Sequence, residues 1–366
     1  MEKLRIGVVG LGFGAEFIPI YQKYGKAECV AICRRNEEKL NELGDKLGIE
    51  KRYTDYMEML GDPDIDAVHI NSDLKEHGWM SIEALRAGKH VACTVTMAMT
   101  EAECRQIVDL EEKTGLKYMM METAVYTREY LYFKKLYEAG EVGRIQFMRG
   151  SHQQNMSLPG WPDYWYGMPP MFYPTHALGP LSDIIGKPVT TVRCLGSGRI
   201  NEEYIKQYNS PFAMETAQYT FKDSDIVAEV SRSLFDTIRQ YRESFDIYGT
   251  KKSFEWEQIV DENPVVFSGF EDAERIEVPD TDHMLPSDIG GFALKNQIID
   301  DQHVSFIQGS GHGGSHPHMV HEFVSAVLEN RPAHVSAKVG ANWTMAGILA
   351  HESAMNGGKI LEIPQL

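Results

Sequence analysis

The chain begins almost at once with Leu4-Arg5-Ile6-Gly7-Val8-Val9-Gly10-Leu11-Gly12-Phe13-Gly14-Ala15. A short β-rich run enters a glycine-rich turn, and the turn enters a segment of helical character. Gly10 permits the tight turn, and Gly12 leaves the backbone bare where a pyrophosphate would approach. Phe13 and Gly14 continue the loop, and Ala15 supplies the third small position, where helix and strand pack closely. Phosphates at such a turn face a helix N-terminus, with its free N–H groups and positive dipole end. Glycine-rich turns also form for packing alone, so the pattern of the next hundred residues decides between the two readings.

Those residues carry four more alternations. The first helical segment runs to Tyr24 with Gly25 as its stop, and 29–33 is the next apolar run. Asn36 caps a helix with Glu37 and Glu38 in its first turn and Leu40, Leu43 and Leu47 on one face. Ala67–Ile70 is a third strand, followed by a helix to Gly88; 90–93 is a fourth. Thr100 and Glu103 form a capping box ahead of a helix that Gly115 stops, and Tyr118–Met121 closes the series. Strands alternating with helices of this length predict right-handed crossovers and a doubly wound parallel sheet. The cofactor expected at loop 10–15 is a dinucleotide.

Composition bounds the function. The 366 residues carry 53 acidic and 36 basic side chains, a formal charge of −17. That balance speaks against nucleic acid, whose phosphates require Lys and Arg, and against a polybasic contact with anionic lipid. No apolar run approaches the ~18 residues that span a bilayer, and strand character from Leu4 leaves no room for a signal peptide. Five scattered cysteines (Cys29, Cys33, Cys93, Cys104 and Cys194) fit reduced thiols. A soluble, cytoplasmic protein is expected.

Beyond about residue 125 the pattern changes. A helix over 127–138 leads into alternating runs at 145–148, 190–195, 215–221, 227–234 and 244–248. Successive strands with few helices between them predict a mostly antiparallel open sheet. Residues 258–315 are irregular, and a helix follows over 318–328. The expected organisation is a Rossmann domain over 1–125 and an α+β domain over 126–366 for substrate binding and oligomerisation.

The end of the second strand reads Cys33-Arg34-Arg35-Asn36, without the carboxylate that holds the ribose hydroxyls of NAD. Arginines there accept a 2′-phosphate, which favours NADP over NAD; the alternative is that both are solvated or that one stacks on adenine.

With these residues in hand the chain resembles the Gfo/Idh/MocA oxidoreductases. Asp66-Ala67-Val68-His69-Ile70, Ala84-Leu85-Arg86-Ala87-Gly88-Lys89-His90-Val91 and Ile247-Tyr248-Gly249-Thr250 are similar to strings of that family. The resemblance implies action on a sugar, polyol or sugar derivative, a homo-oligomer (dimer or tetramer), and cofactor contacts at Ser72, His77 and Thr94. The departures are equally specific. Where the family carries a catalytic lysine after the fifth strand, Thr94-Val95-Thr96 stands here. Where it carries an Asp four residues before a His, Phe172 precedes His176.

The string Tyr173-Pro174-Thr175-His176 instead resembles the NAD-dependent glycosidases of glycoside hydrolase family 109. Met121, Glu122 and Tyr126 match a second motif of that group, and His312-Gly313-Gly314 a third. That resemblance implies transient oxidation at one carbon, elimination of the leaving group, addition of water and restoration of the cofactor. The chemistry is coherent: a carbinol carbon loses hydride only if something takes its hydroxyl proton. His176, with an ordinary pKa near neutrality, is the natural acceptor, and Tyr173 or Tyr126 polarises the oxygen or relays the proton. His312 completes the candidate set.

Other features read both ways. His312, His316, His318 and His321 are dense, but no carboxylate or cysteine pattern completes a metal site, and none is expected. Trp161, Tyr164, Trp165 and Tyr166 form an aromatic segment suited to sugar faces or to packing. Three classes remain: a nicotinamide-dependent dehydrogenase or reductase, a redox-neutral glycosidase or lyase that uses the cofactor transiently, and a cofactor-binding protein without chemistry.

Overall fold

The computed structural model describes residues 3–237, 239, 241–259, 262–295 and 311–366. By internal contacts the chain forms two units, residues 1–126 with 280–341, and residues 127–279 with 342–366. The stretch 280–341 therefore groups with the first unit, whereas the sequence reading assigned everything past residue 125 to a second domain. The division falls inside the long helix Ala337–Met355.

The first unit carries six strands: β1 (Leu4–Val9), β2 (Ala27–Cys33), β3 (Lys51–Tyr53), β4 (Ala67–Ile70), β5 (His90–Thr94) and β6 (Tyr118–Met121). Their order is β3-β2-β1-β4-β5-β6 and every pairing is parallel. The order reverses beside β1, which makes the end of β1 the switch point where such sheets take their ligands. The expected caps are present: Asn36 accepts from the Lys39 amide (2.9 Å), Thr100 from the Glu103 amide (3.2 Å), and Gly48 and Gly115 end their helices at φ 69° and 71°. Two features depart from expectation: the short strand Lys51–Tyr53 with the helix Tyr56–Leu60 after it, and the first crossover. That crossover starts as a tight 3-10 turn over Gly14–Phe17 and becomes α-helical over Ile18–Lys23.

The second unit is built on a nine-stranded sheet. Its strands are β7 (Ile145–Gln154), β8 (Val189–Ser197), β9 (Met214–Phe221), β10 (Val227–Ser233), β11 (Tyr241–Gly249), β12 (Ser253–Glu255), β13 (Val265–Phe267), β14 (Ala273–Arg275) and β15 (Leu361–Glu362). The order is β14-β13-β12-β11-β7-β10-β9-β8-β15, antiparallel throughout except for β7 with β10. The helix Thr175–Ile185 lies on this sheet. At Gly150 of β7 a Cβ would come within 2.0 Å of the Ala177 carbonyl oxygen, so glycine alone lets strand and helix approach this closely.

Candidate active site

In the first unit the loop after β1 has the shape its glycines require. Gly10 adopts φ +83°, and a Cβ on it would lie 2.3 Å from the Asn71 carbonyl oxygen. A Cβ on Gly12 would meet nothing within 4 Å, so the backbone there is bare and open to a ligand. Gly14 is buried, and its Cβ would press on the Asn71 side chain at 2.9 Å. Ala15 is half-exposed. The close-packing role therefore belongs to Gly14, because the 3-10 entry turns residue 15 outward.

The other expected cofactor residues surround this loop in varied ways. Thr94, at the end of β5, donates from its hydroxyl to the Ile70 carbonyl (3.1 Å), and Ser72 reaches the Met80 sulfur at 3.1 Å. His77 is fully buried with one ring nitrogen 2.7 Å from the Thr96 carbonyl oxygen and the other 2.9 Å from that of Ser72. Two carbonyl acceptors call for two N–H donors. Burial opposes the charge, but Cys93 and the two carbonyls outweigh it and push the imidazole up to about 9. His77 thus ties the segment after β4 to the segment after β5. Arg34 is half-exposed and Arg35 exposed.

His312 follows Gly311 in a left-handed conformation, φ 46° and ψ 59°, unusual for a residue with a Cβ. Its ring meets Phe13 of the glycine loop edge-on at 5.5 Å, and its Nδ1 lies 3.1 Å from His316 Nε2. His316 also packs on Phe13 and Phe17, and its Nδ1 stands 3.5 Å from a Glu16 carboxylate oxygen. The late histidines and the glycine loop are one cluster. Tyr126 has a different setting: its hydroxyl lies 2.9 Å from His334 Nδ1, and its ring is nearly parallel to that of His318 at 6.3 Å. His318 pairs with the Thr281 hydroxyl (2.8 Å) and His321 with that of Tyr24 (2.7 Å). His312 and His316 thus stay paired at the glycine loop, while His318 and His321 turn to separate partners.

In the second unit the structure brings Tyr173 and His176 together, with Oη and Nε2 3.0 Å apart. Tyr173 ends the 3-10 turn Pro170–Phe172, and His176 lies in the first turn of the helix Thr175–Ile185. Around them is a row of polar residues that sequence reasoning missed. β7, β10, β11 and β9 align Glu243 with His152, His152 with Arg232, and Arg232 with Glu215. Successive neighbours in this row differ in strand, and His152, Arg232 and Glu215 are fully buried. The sequence signal is a polar residue at the inward phase of each alternating strand: Gly150-x-His152-x-Gln154, Val230-x-Arg232 and Glu243-x-Phe245. A single strand does not reveal it, because register is needed to line the residues up.

Arg232, Glu243 and Glu215 are held by hydrogen bonds. Arg232 donates to the Tyr173 carbonyl (2.9 Å), the His152 carbonyl (3.2 Å) and Gln154 Oε1 (2.6 Å), and burial pulls its guanidinium down to about 10. Glu243 accepts from the Tyr241 hydroxyl, with Oε1 3.8 Å from His152 Nε2 and 3.9 Å from His176 Nε2. Glu215 accepts from the Met171 amide (2.8 Å) and from His351 Nδ1 (2.6 Å), which anchors the turn that presents Tyr173. Trp165 packs edge-on against the Tyr173 ring at 5.3 Å, so part of the aromatic segment belongs to this site.

Comparison with known proteins bears on both units. Residues 4–122 match the Gfo/Idh/MocA oxidoreductase family with its NAD-binding Rossmann fold. This stretch of the chain is similar to the NAD-binding domain of that family. Over its full length the chain is 25% identical to an alpha-N-acetylgalactosaminidase of Shewanella oneidensis and 26% identical to a glycosyl hydrolase family 109 protein of Shewanella pealeana, covering 85% of each. Both resemblances read from the motifs are thereby borne out. Among solved structures, a levoglucosan dehydrogenase in complex with NADH and L-sorbose shares the fold at TM-score 0.80 and 22% identity, with 100% of both chains covered. Against this family background the substitutions acquire a structural meaning. Val95, at the lysine place, is buried. Phe172, at the Asp place, sets its ring edge-on to His351 at 5.3 Å. The carboxylate beside His176 comes from another element, Glu243.

Proposed function

We propose that this protein is a nicotinamide-dependent oxidoreductase acting on a secondary hydroxyl of a sugar or glycoside. The dinucleotide binds at loop 10–15, and Tyr173 and His176 handle the hydroxyl proton. The observation that carries this reading is the 3.0 Å contact between Tyr173 Oη and His176 Nε2 in a chain with no lysine at position 95. The open space over Gly12 fits a dinucleotide. A bound NAD would supply the hydride acceptor, chemistry no side chain offers. The family and the solved relative point to NAD, and the preference for NADP read from Arg34 and Arg35 finds no support in them.

His176 accepts the proton of the substrate hydroxyl, directly or through Tyr173, as the carbon is oxidised. Glu243 stabilises the imidazolium that forms. Arg232, over the Tyr173 ring at 5.2 Å and bonded to its carbonyl, keeps the phenol in place. The aromatic surface of Trp165 suits the apolar face of a sugar ring.

A second reading is a redox-neutral glycosidase, favoured by the full-length likeness to the alpha-N-acetylgalactosaminidase. The same proton-handling pair serves it, since it also begins by oxidising a hydroxyl. One assay separates the two. Purified protein with NAD is given sugars, polyols and nitrophenyl glycosides, including the N-acetylgalactosaminide, while reduced nicotinamide and nitrophenol are followed together. A rise in reduced nicotinamide marks the dehydrogenase, and nitrophenol release without that rise marks the glycosidase. Neither signal from a protein that binds NAD would overturn both enzyme readings and leave a cofactor-binding protein.

A further inference from the structure

We infer that His152, His176 and Glu243 form a binding site for one divalent transition-metal ion of the zinc or cobalt class. Three separate elements present them: β7, the first turn of the helix Thr175–Ile185, and β11. Their candidate ligand atoms all lie within 4.8 Å of one another, and it is the only such group among the described residues. The carboxylate oxygen stands 3.8 Å from one imidazole nitrogen and 3.9 Å from the other. Ligands on a four-coordinate zinc with bonds of ~2.1 Å are about 3.4 Å apart. Closing the three onto an ion therefore takes only small side-chain rotations.

The surroundings suit an ion. Both histidines are buried, so the donors are shielded from competing water. The Tyr241 hydroxyl orients Glu243, as outer-shell partners orient metal-bound carboxylates. Tyr173 Oη, 3.0 Å from His176 Nε2, borders the fourth position, which three protein ligands leave open to a substrate oxygen. The buried Arg232 faces the same cluster and adds positive charge. The Glu243 carboxylate offsets one of these charges: two positive charges on a metal and one on Arg232 against one negative one leave the site net positive. Such a site attracts an oxyanion, including a deprotonated sugar hydroxyl. An ion here would acidify the substrate hydroxyl by charge, where an ordinary family member uses a lysine.

The inference goes beyond the proposed function: in the metal-bound protein His176 Nε2 is a ligand and the hydroxyl proton passes to Tyr173, whereas in the metal-free protein His176 takes it. The test needs neither NAD nor substrate. The full-length protein is stripped with a chelator and titrated with Co²⁺, with visible d–d absorption as the readout and Zn²⁺ as competitor. One equivalent per chain is expected, displaced by Zn²⁺. Tyr241→Phe should weaken binding by about 10-fold, and His152→Ala and Glu243→Gln by about 100-fold or more. Should a variant fail to fold, the paramagnetically shifted imidazole N–H signals of the wild-type Co²⁺ form count histidine ligands directly, and two are expected. Absence of d–d absorption at saturating Co²⁺, fewer than two shifted imidazoles, or unchanged binding in folded His152→Ala and Glu243→Gln would overturn the site. In that event the assignment of His176 as proton acceptor stands untouched, and its own assay decides it.

Discussion

Gly150 and Ala177 touch backbone to backbone: a single Cβ on Gly150 would lie 2.0 Å from the Ala177 carbonyl oxygen. That contact lays the helix Thr175–Ile185 on β7 and brings the rings of His152 and His176 to 4.9 Å. Backbone cannot retreat as a flexible side chain can, so the position tolerates glycine alone. Gly150→Ala should cost roughly 1–3 kcal/mol of stability, read by urea denaturation, and should depress activity beyond any loss of folded protein. A variant as stable and active as wild type would show that the helix does not depend on this approach.

Gly10 and Gly12 make a paired test of the nucleotide loop. Gly10→Val forces a branched side chain onto a backbone at φ +83° and into the Asn71 carbonyl, so stability should fall. Gly12→Val enters open space and should change stability by no more than about 0.5 kcal/mol, while NADH binding, followed by the fluorescence of its reduced nicotinamide, collapses. Equal NADH affinity in Gly12→Val would mean that the pyrophosphate lies elsewhere.

The proton-handling pair predicts a split between binding and rate. His176→Ala should lose about 10²–10⁴-fold in kcat with NAD affinity unchanged. Tyr173→Phe should be milder if the phenol only polarises the sugar oxygen and comparable if it takes the proton. Val95→Lys should not raise activity, because position 95 is buried and the polar row around His176 is built from other strands. Retention of most of the wild-type rate in His176→Ala would move the acceptor to another group.

Two sets of buried histidines give stability opposite pH slopes. His69 and His316 are held down to about 3, and His318 to about 4, with burial the first cause in each. Unfolded histidine titrates near 6.5. As pH falls below that value the unfolded chain binds protons that these folded imidazoles refuse, so stability declines toward acid. His77, raised to about 9, acts in the other direction. Its contribution is fully present below ~6.5 and is lost as pH rises through about 9. Melting temperature should therefore peak near neutrality and fall on both sides. His77→Gln should flatten the alkaline limb, and an unchanged limb would remove His77 as its cause.

Particular elements show where the sequence was legible. Five of the six strands of the parallel sheet and the helix caps at Asn36 and Thr100 were readable because each signal is local: Asn36 bonds a backbone amide three residues away, and so does Thr100. Two of the longer helices were not readable. Thr175–Ile185 and Ala337–Met355 are buried over most of their surface, so neither shows a polar face to set a 3.6-residue period, and Pro180 and Gly347 look like breakers. Gly347 is in fact a close approach, its Cβ position 2.2 Å from the Met171 carbonyl oxygen.

The site divides the same way. Tyr173 and His176 lie within one turn of chain, so their spacing makes them candidates for a pair. His152, Arg232, Glu215 and Glu243 are spread over four strands and meet only because the pairing register sets them in one row. A slip of one residue in any of these strands would turn its member to the opposite face. Local chemistry, the glycine turn, the caps and the Tyr/His spacing, is written in consecutive residues and comes from the sequence itself. The buried polar row depends on long-range pairing and on the glycine contact beneath the helix, and only the tertiary structure decides it.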